Sequence, residues 1–493
     1  MKNQVTNPYL PLYEYVPDGE PRVFGDRLYI FGSHDRFKGE FYCLNDYVCW
    51  STPVNDLSQW RFDGYIYHKE EDPYVQKGPK SPFTKDHKQS MFAPDVVQGP
   101  DGRYYMYYGL DFVNQISVAV SDSPAGQYKF YGNVKHADGT LLGHGEKDPF
   151  QFDPGALVDD DNRVWLYTGF SPKQELIDQF RKMGDKKLDA NGNSVVELAS
   201  DMLTLVSEPK MLLPGWKNGA GTSFEGHEFY EASSMRKFND RYYFIYSSAL
   251  SHELAYAVSE YPDRDFVYGG PLHSNAGLGF KGNTTPTFYW GNNHGSVAYV
   301  NGEYYIFGHR QTNYSEASRQ GVAEKLEMTE EGHFNMADMT SCGLNGGPLN
   351  GKGTYSAGIA CQLWSETGAI KSYDVAINQV KELHPCVTQS GEDRENDPDQ
   401  YIHNLKDGSV AGFKYFMFDG PKQISVKVRG TGEGTLVVKL TPNGDAIARI
   451  AVKPAEDWVE VSTEFLSEIN GQHALYFAYN GSQAIDFSAF TIQ

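Results

Sequence analysis

Five ionisable residues stand at matching distances ahead of five similar aromatic segments. Asp18, Asp95, Asp153, Glu231 and His294 precede Arg27, Arg103, Arg163, Arg241 and Glu303 by eight to ten residues. Four of the five are carboxylates, and carboxylates crowded into a partly desolvated cleft raise one another's pKa. Such a group is costly unless a reaction uses it. Cleavage of a glycosidic bond does, because it needs a protonated acid at the leaving oxygen and an ionised carboxylate on the opposite face of the sugar. A third carboxylate beside the acid would hold its proton on, while a more solvated base stays ionised.

Glu231 keeps the register of the set, whereas Glu225 and Glu228 in the same stretch, EGHEFYE, compete for the acid role without keeping it. Asp95 follows a proline in FAPD and is expected to be structural, capping its own turn. The run DDDN (159–162) falls where other repeats carry Gly-Asp or Asn-Gly, so it is a hairpin turn rather than a metal site. His294 in GNNHGSV is open to two readings, a satisfied core histidine or a metal or water-mediated role.

The aromatic segments are GDRLYIFG (25–32), DGRYYMYYG (101–109), DNRVWLYTG (161–169), NDRYYFIYS (239–247) and NGEYYIFGH (301–309), spaced 60–78 residues apart. Each joins a polar turn to alternating aromatics, with a short strand before the turn, which is a hairpin signature. The fold class this predicts is all-β. Five similar antiparallel sheets set radially make a five-bladed β-propeller, in which inner strands run the same way and their leading residues share one mouth. One insertion departs from the pattern: QELIDQFRKM (174–183) places Leu176, Phe180 and Met183 on one helical face, as a surface element.

The bulk composition agrees with a β-rich chain. Its 493 residues exceed one ordinary core, and they include 34 Tyr and 29 Phe. A net charge of −21 opposes phosphate backbones and anionic lipid, so neither nucleic acid nor membrane is expected as a partner. A neutral sugar escapes that repulsion, and homo-oligomerisation is left open. The five cysteines, Cys43, Cys49, Cys342, Cys361 and Cys386, are odd in number and lack zinc spacing, so free thiols are expected. The N-terminal MKNQVTNPYLPLYEYV has no apolar run or small-residue cleavage site, which gives a cytoplasmic expectation.

Together these residues resemble glycoside hydrolase family 43. PDGEPRVFGD is similar to the family's first motif with Asp18, FDPGALVDDDN to the second with Asp153, and FYEASSMRKFNDRYYFIYS to the third with Glu231. MFAPDV resembles the family's Trp-Ala-Pro-Asp stretch, with Phe92 where Trp is common. The resemblance covers roughly residues 8–340 and implies an inverting single displacement. In it Asp18 activates water, Glu231 protonates the leaving oxygen and Asp153 raises the pKa of Glu231. It implies no cofactor for the chemistry, and a structural calcium on the propeller axis held through water by His294. Many relatives have Asp-Pro in the first motif; here the sequence is Asp18-Gly19-Glu20-Pro21, which leaves Glu20 as a rival base. The substrate class implied is a plant-derived oligosaccharide ending in α-L-arabinofuranose or β-D-xylose, trimmed from its end. His309 and Arg310 in GHRQTN are candidate sugar contacts.

Residues 324–341 read as the last outer strand of the propeller, and the Gly-rich stretch that follows begins a connector over 341–383 that packs on it. The acidic GEDRENDPDQ (391–400) reads as a solvated loop. Beyond it, ISVKVRG, TLVVKLTP, AIARIAVK, WVEVSTEF, HALYFAYN and IDFSAFTI alternate with turn signals, as in a β-sandwich. Residues 384–493 resemble a family 6 carbohydrate-binding module, which implies a jelly roll. Tyr415, Trp458 and Tyr479 are its candidate sugar-stacking aromatics.

Overall fold

The computed structural model describes residues 4–111, 113–182, 187–371, 380–394 and 399–493. The chain is all-β. Its first sheet comprises β1 (Glu20–Phe24), β2 (Arg27–Phe31), β3 (Tyr47–Pro53) and β4 (Arg61–Tyr67). The second comprises β5 (Met91–Gln98), β6 (Tyr104–Leu110), β7 (Val113–Ser121) and β8 (Lys129–Asn133). The third holds β9 (Gly155–Val158), β10 (Val164–Thr168), β11 (Gly192–Leu198) and β12 (Lys210–Pro214). The fourth holds β13 (Phe229–Phe238), β14 (Arg241–Ser248), β15 (Glu253–Ser259) and β16 (Val267–Ser274). The fifth holds β17 (Val297–Val300), β18 (Glu303–Thr312), β19 (Ser315–Met328) and β20 (Phe334–Asn335).

Each hairpin marker opens a second strand. Arg27, Arg241 and Glu303 begin β2, β14 and β18, while Arg103 and Arg163 sit one residue ahead of β6 and β10. The turns follow from their residues: Asn239-Asp240 and Asn301-Gly302 have positive φ at both central positions, the mirror-type turn whose twist matches paired strands. The expected outer strand over 324–341 is corrected. Its first residues end the long third strand β19, and the outer strand is the two-residue β20.

Neighbouring sheets are glued by apolar cores in cyclic order. Phe31 and Tyr47 of the first sheet meet Met106 and Tyr108 of the second, and Tyr107 and Val118 of the second meet Leu166 and Val196 of the third. Trp165 and Tyr167 meet Phe244 and Tyr246 of the fourth, whose Tyr243 and Ile245 meet Val297 and Ile306 of the fifth. Finally Tyr305 and Phe307 of the fifth meet Ile30 and Trp50 of the first. Wide aromatics fill the space that opens between twisted sheets, which explains the alternating Tyr and Phe of the repeats.

Where the first strands converge lies a buried polar layer. Arg22 grips both oxygens of Asp95 at 2.9 and 2.6 Å, and Asp95 also accepts the Ala156 N–H at 2.8 Å. Arg236 donates to Glu20 at 2.6 Å and to the Val297 carbonyl at 3.1 Å. Ser234 bonds Glu20 at 3.0 Å and Ser296 at 2.7 Å. These contacts tie all five sheets together. They also correct the register reading of Asp95, which is structural, as expected, but lies in this layer. The position that Asp18 (φ 56°) and Asp153 (φ 44°) hold two residues earlier is filled by Ala93 (φ 36°).

The C-terminal part forms two six-stranded sheets around a shared core rich in phenylalanine, including Phe413, Phe477, Phe487 and Phe490. All six predicted segments are strands. The connector differs from expectation: Leu349–Asn350 and Gln362–Trp364 pair with Val410–Asp419, and Gly353–Ser356 pairs with Ile485–Ile492. Those sheets thus take their first strand at Leu349, before residue 384. Tyr479 is fully buried in the core, and Tyr415 is half-buried with its hydroxyl donating to Asp338 at 2.8 Å. Trp458 is half-buried beside Tyr401. All five cysteines are free thiols, all buried. No helix among the described residues is long and apolar enough to cross a membrane.

Removing one partner from a buried ion pair strands the other charge. Arg236→Leu is expected to cost about 3–5 kcal/mol in urea unfolding, and adding Glu20→Leu to recover most of it.

Candidate active site

Asp18 and Asp153 stand two residues ahead of β1 and β9, each in the left-handed region that aspartate tolerates better than most residues. Glu231 lies inside β13, where the pairing with β14 slips on both sides of it. The bulge is centred on Ala232, whose φ of 67° turns its N–H to donate to Asp153 Oδ2 at 3.2 Å. Bulges re-aim side chains beside active sites, and this one joins the acid's strand to its neighbouring carboxylate. His294, three residues ahead of β17, places Nδ1 3.5 Å from Asp153 and 4.0 Å from Asp18. Asp18, Asp153, Glu231 and His294 all line one cavity of about 330 Å³.

The two catalytic candidates are pushed in opposite directions. Burial and the neighbouring Asp153 carboxylate raise Glu231 to about 8. Burial alone would raise Asp18 as well, but Arg319, His309 and His294 outweigh it and hold its carboxyl below the usual range. Arg319 Nη1 donates to Asp18 Oδ1 at 2.9 Å. Its Nε and Nη2 are fixed by Asp35 at 2.9 and 3.0 Å. Burial would also lower His294, yet Asp153, Asp18 and Glu20 raise it to about 9, so it sits as a cation among carboxylates. One carboxyl keeps its proton at neutral pH and the other does not, the division that acid and base catalysis of hydrolysis requires.

The cavity wall is aromatic: Phe41, Tyr42, Phe83, Phe92, Phe152, Phe170, Phe180 and Tyr230. Phe92 lies in this wall, whereas the other two sugar-contact candidates, His309 and Arg310, do not. His309 is fully buried behind Asp18, bonding its backbone N–H at 3.4 Å and the Asn292 carbonyl at 2.8 Å. Arg310 points away, donating to Gln320 and to the carbonyls of Ala360 and Gly358. Residues alternate faces along β18, so only one of two neighbours can face the site. The helix Gln174–Lys182, expected on the surface, gives Leu176, Gln179 and Phe180 to the cavity wall, while Met183 lies outside the described residues.

The rivals do not reach the cavity. Glu20 is held beneath it by Arg236 and Ser234, Glu225 is exposed with its carboxylate on the Gly221 N–H, and Glu228 is absent from the wall. His294, the residue implied to hold a calcium through water, lies beside the Asp18, Glu20 and Asp153 carboxylates. Among the described residues no group of three or more His, Cys, Asp or Glu could hold a metal ion. The axial carboxylates Glu20 and Asp95 are already neutralised by Arg236 and Arg22 at 2.6 Å.

Arg319, Asp35, Asn292 and Glu316 were not legible as site residues. Arg319 sits mid-strand in SRQG, with no turn or repeat to mark it, and its partners are 284 and 301 residues distant.

The profile of Glycosyl hydrolases family 43 matches residues 11–334. The chain belongs to this family. A xylosidase/arabinosidase of Thermoclostridium stercorarium is 47% identical over 495 residues, covering 100% of this chain and 99% of its own. A β-xylosidase of Xylanibacter ruminicola is 27% identical over 342 residues, covering 65% of this chain and 96% of its own. A crystallised family 43 arabinoxylan arabinofuranohydrolase from Bacillus subtilis, in complex with cellotetraose, superposes over 99% of this chain and 97% of its own, with a TM-score of 0.50 and 19% identity. A Xanthomonas citri family 43 enzyme complexed with xylotriose covers 68% of this chain and 93% of its own, with a TM-score of 0.51 and 22% identity. These structural likenesses speak to fold alone. The family 43 chain is a glycoside hydrolase, and its chemistry needs no cofactor.

The acid works protonated and the base ionised. kcat/KM is expected to fall as pH rises through about 8, where Glu231 loses its proton, and to hold in acid down to below about pH 4 because Asp18 stays ionised. Asp153→Asn removes a cause of the Glu231 upshift and should move the alkaline limb to lower pH in a pH–rate profile.

Proposed function

We propose that this enzyme is an inverting exo-glycosidase that removes terminal α-L-arabinofuranosyl or β-D-xylosyl residues from plant-derived oligosaccharides. The observation that carries it is the opposed protonation of Glu231 and Asp18 across one small cavity. Asp18 takes a proton from water as the water attacks the anomeric carbon, and Glu231 gives its proton to the departing oxygen. Asp153 keeps Glu231 protonated beforehand, and solvent resets both carboxyls afterwards. The single displacement inverts the anomeric centre. Relatives named xylosidase/arabinosidase and β-xylosidase support the pentose assignment.

A second hollow of about 1000 Å³ adjoins the first, sharing Leu176, Gln179 and Tyr230 and adding Trp216, Leu250, His252 and Trp290. Its two indoles suit stacking against the remainder of an oligosaccharide on the leaving-group side. The cyclic order of shared cores supports reading the five sheets as blades of a propeller, taken as residues 1–340. The two C-terminal sheets are read as a sandwich resembling a family 6 carbohydrate-binding module. Trp458 is half-buried there, with the Arg429 guanidinium 4.3 Å from its ring centre.

The wild type should hydrolyse 4-nitrophenyl α-L-arabinofuranoside or β-D-xyloside, releasing the inverted anomer first by proton NMR. Glu231→Gln should lose about 10²–10⁴ in kcat on a xylo-oligosaccharide. Retention of configuration, or an active Glu231→Gln enzyme, would overturn the assignment. Trp290→Ala should raise KM for xylotriose several-fold and leave KM for the aryl glycoside unchanged.

A further inference from the structure

The acidic loop expected to be solvated is docked on the first sheet. Arg394 Nη1 lies 2.5 Å from both oxygens of Glu14, a carboxylate with 1% exposure that also accepts from Trp50 at 2.8 Å and meets His34 at 3.1 Å. The guanidinium stands 4.9 Å from the centre of the Phe62 ring. Its neighbour Asp393 accepts the Phe37 N–H at 2.8 Å and the Asn45 side-chain amide at 2.9 Å. The same amide bonds the Asp35 carbonyl at 3.0 Å.

Phe37, Asn45, Asp35 and His34 belong to the 33–45 segment between β2 and β3, and Glu14 meets it through His34. Within it Asp35 has no exposed surface and spends its carboxylate on Arg319 and on the Cys43 N–H at 2.9 Å. Arg319 in turn holds Asp18. A continuous set of hydrogen bonds thus runs from the 391–394 loop through Asn45 and Asp35 to Arg319 and the general base. The segment also supplies Phe41 and Tyr42 to the cavity wall, with the Arg319 guanidinium 5.0 Å from the Tyr42 ring centre.

We propose that Asp393 and Arg394 are positioning residues for hydrolysis, through which the C-terminal sheets set the geometry of Asp18. The proposal rests on reading Asp18 as the base. A buried arginine fixed on one side by Asp35 can keep one orientation toward Asp18 only while the segment carrying Asp35 is itself fixed. Asp393 and Arg394 fix it at two points, one through the Phe37 N–H and the Asn45 amide and one at His34, which lies 3.1 Å from both the Arg394 guanidinium and the buried Glu14 carboxylate. Small displacements of a catalytic group cost large factors in rate without weakening substrate binding in proportion.

The test uses the full chain with 4-nitrophenyl β-D-xyloside or α-L-arabinofuranoside, whose good leaving group makes turnover report on the base more than on the acid. Asp18→Asn is measured first; its inactivity secures the base, and its activity would overturn that reading and this proposal together. With the base secured, Asp393→Ala and Arg394→Ala should each lower kcat tenfold or more while KM changes less than threefold, and Arg394→Lys should recover part of the loss. Lys414→Ala is the structural control. It breaks an ion pair of 2.7 Å with Asp338 that lies off the route to Asp18. It should lower the melting temperature and leave kcat within twofold. Unchanged kcat in both loop variants, or an equal loss in Lys414→Ala, would overturn the proposal while leaving the glycosidase assignment intact.

Discussion

Two buried carboxyls lining one cavity serve hydrolysis only if one is compelled to keep its proton and the other to give it up. Arg319 enforces that difference here. It reaches Asp18 with one nitrogen and is held by Asp35 with two others, so its charge is delivered to the base and not shared evenly with Glu231. Glu231, facing Asp153 across the bulge in β13, keeps its proton because burial and the Asp153 and Asp18 carboxylates outweigh the pull of His294 and Arg319. Both groups are buried, so the contrast comes from the charges beside them and not from a difference in solvent access.

The surrounding fold supplies what this arrangement needs. Each first strand starts at or beside the cavity, and the layer beneath is a compensated set of two acids and two arginines rather than an apolar plug. That layer carries its own fixed charges close to the reacting ones, with His294 placed between the two levels, 3.9 Å from Glu20 and 3.5 Å from Asp153. Asp18, Asp153, Glu231 and His294 are all buried, so their charges act on one another at greater strength than they would in solvent.

Much of the framework was legible because its signals are local. A polar turn followed by alternating aromatics declares a hairpin wherever it occurs, and five such turns fixed five sheets. Asp18, Asp153 and Glu231 could be found by counting back from those turns. The same counting misplaced Asp95, because a slip in the β5–β6 pairing between Phe92 and Asp95 shifts it into the lower layer. It also could not tell His309 from Arg310, whose opposite faces depend on which side of β18 looks toward Asp18. Arg319 and Asp35 were invisible for a different reason: their meaning lies in partners hundreds of residues away. The docking of Arg394 on Glu14, 380 residues apart, is of the same kind.

These long reaches bear on how the chain is made. Glu20 leaves the ribosome more than two hundred residues before Arg236, and Glu14 precedes Arg394 by most of the chain's length. Until those arginines arrive, neither carboxylate has its cationic partner, and the first sheet cannot settle into its final packing without burying an unpaired charge. Sheets two to four have no such debt across the whole chain, so they are free to consolidate during synthesis. The first sheet, which carries the base, must wait, and completion of the active site is tied to completion of translation.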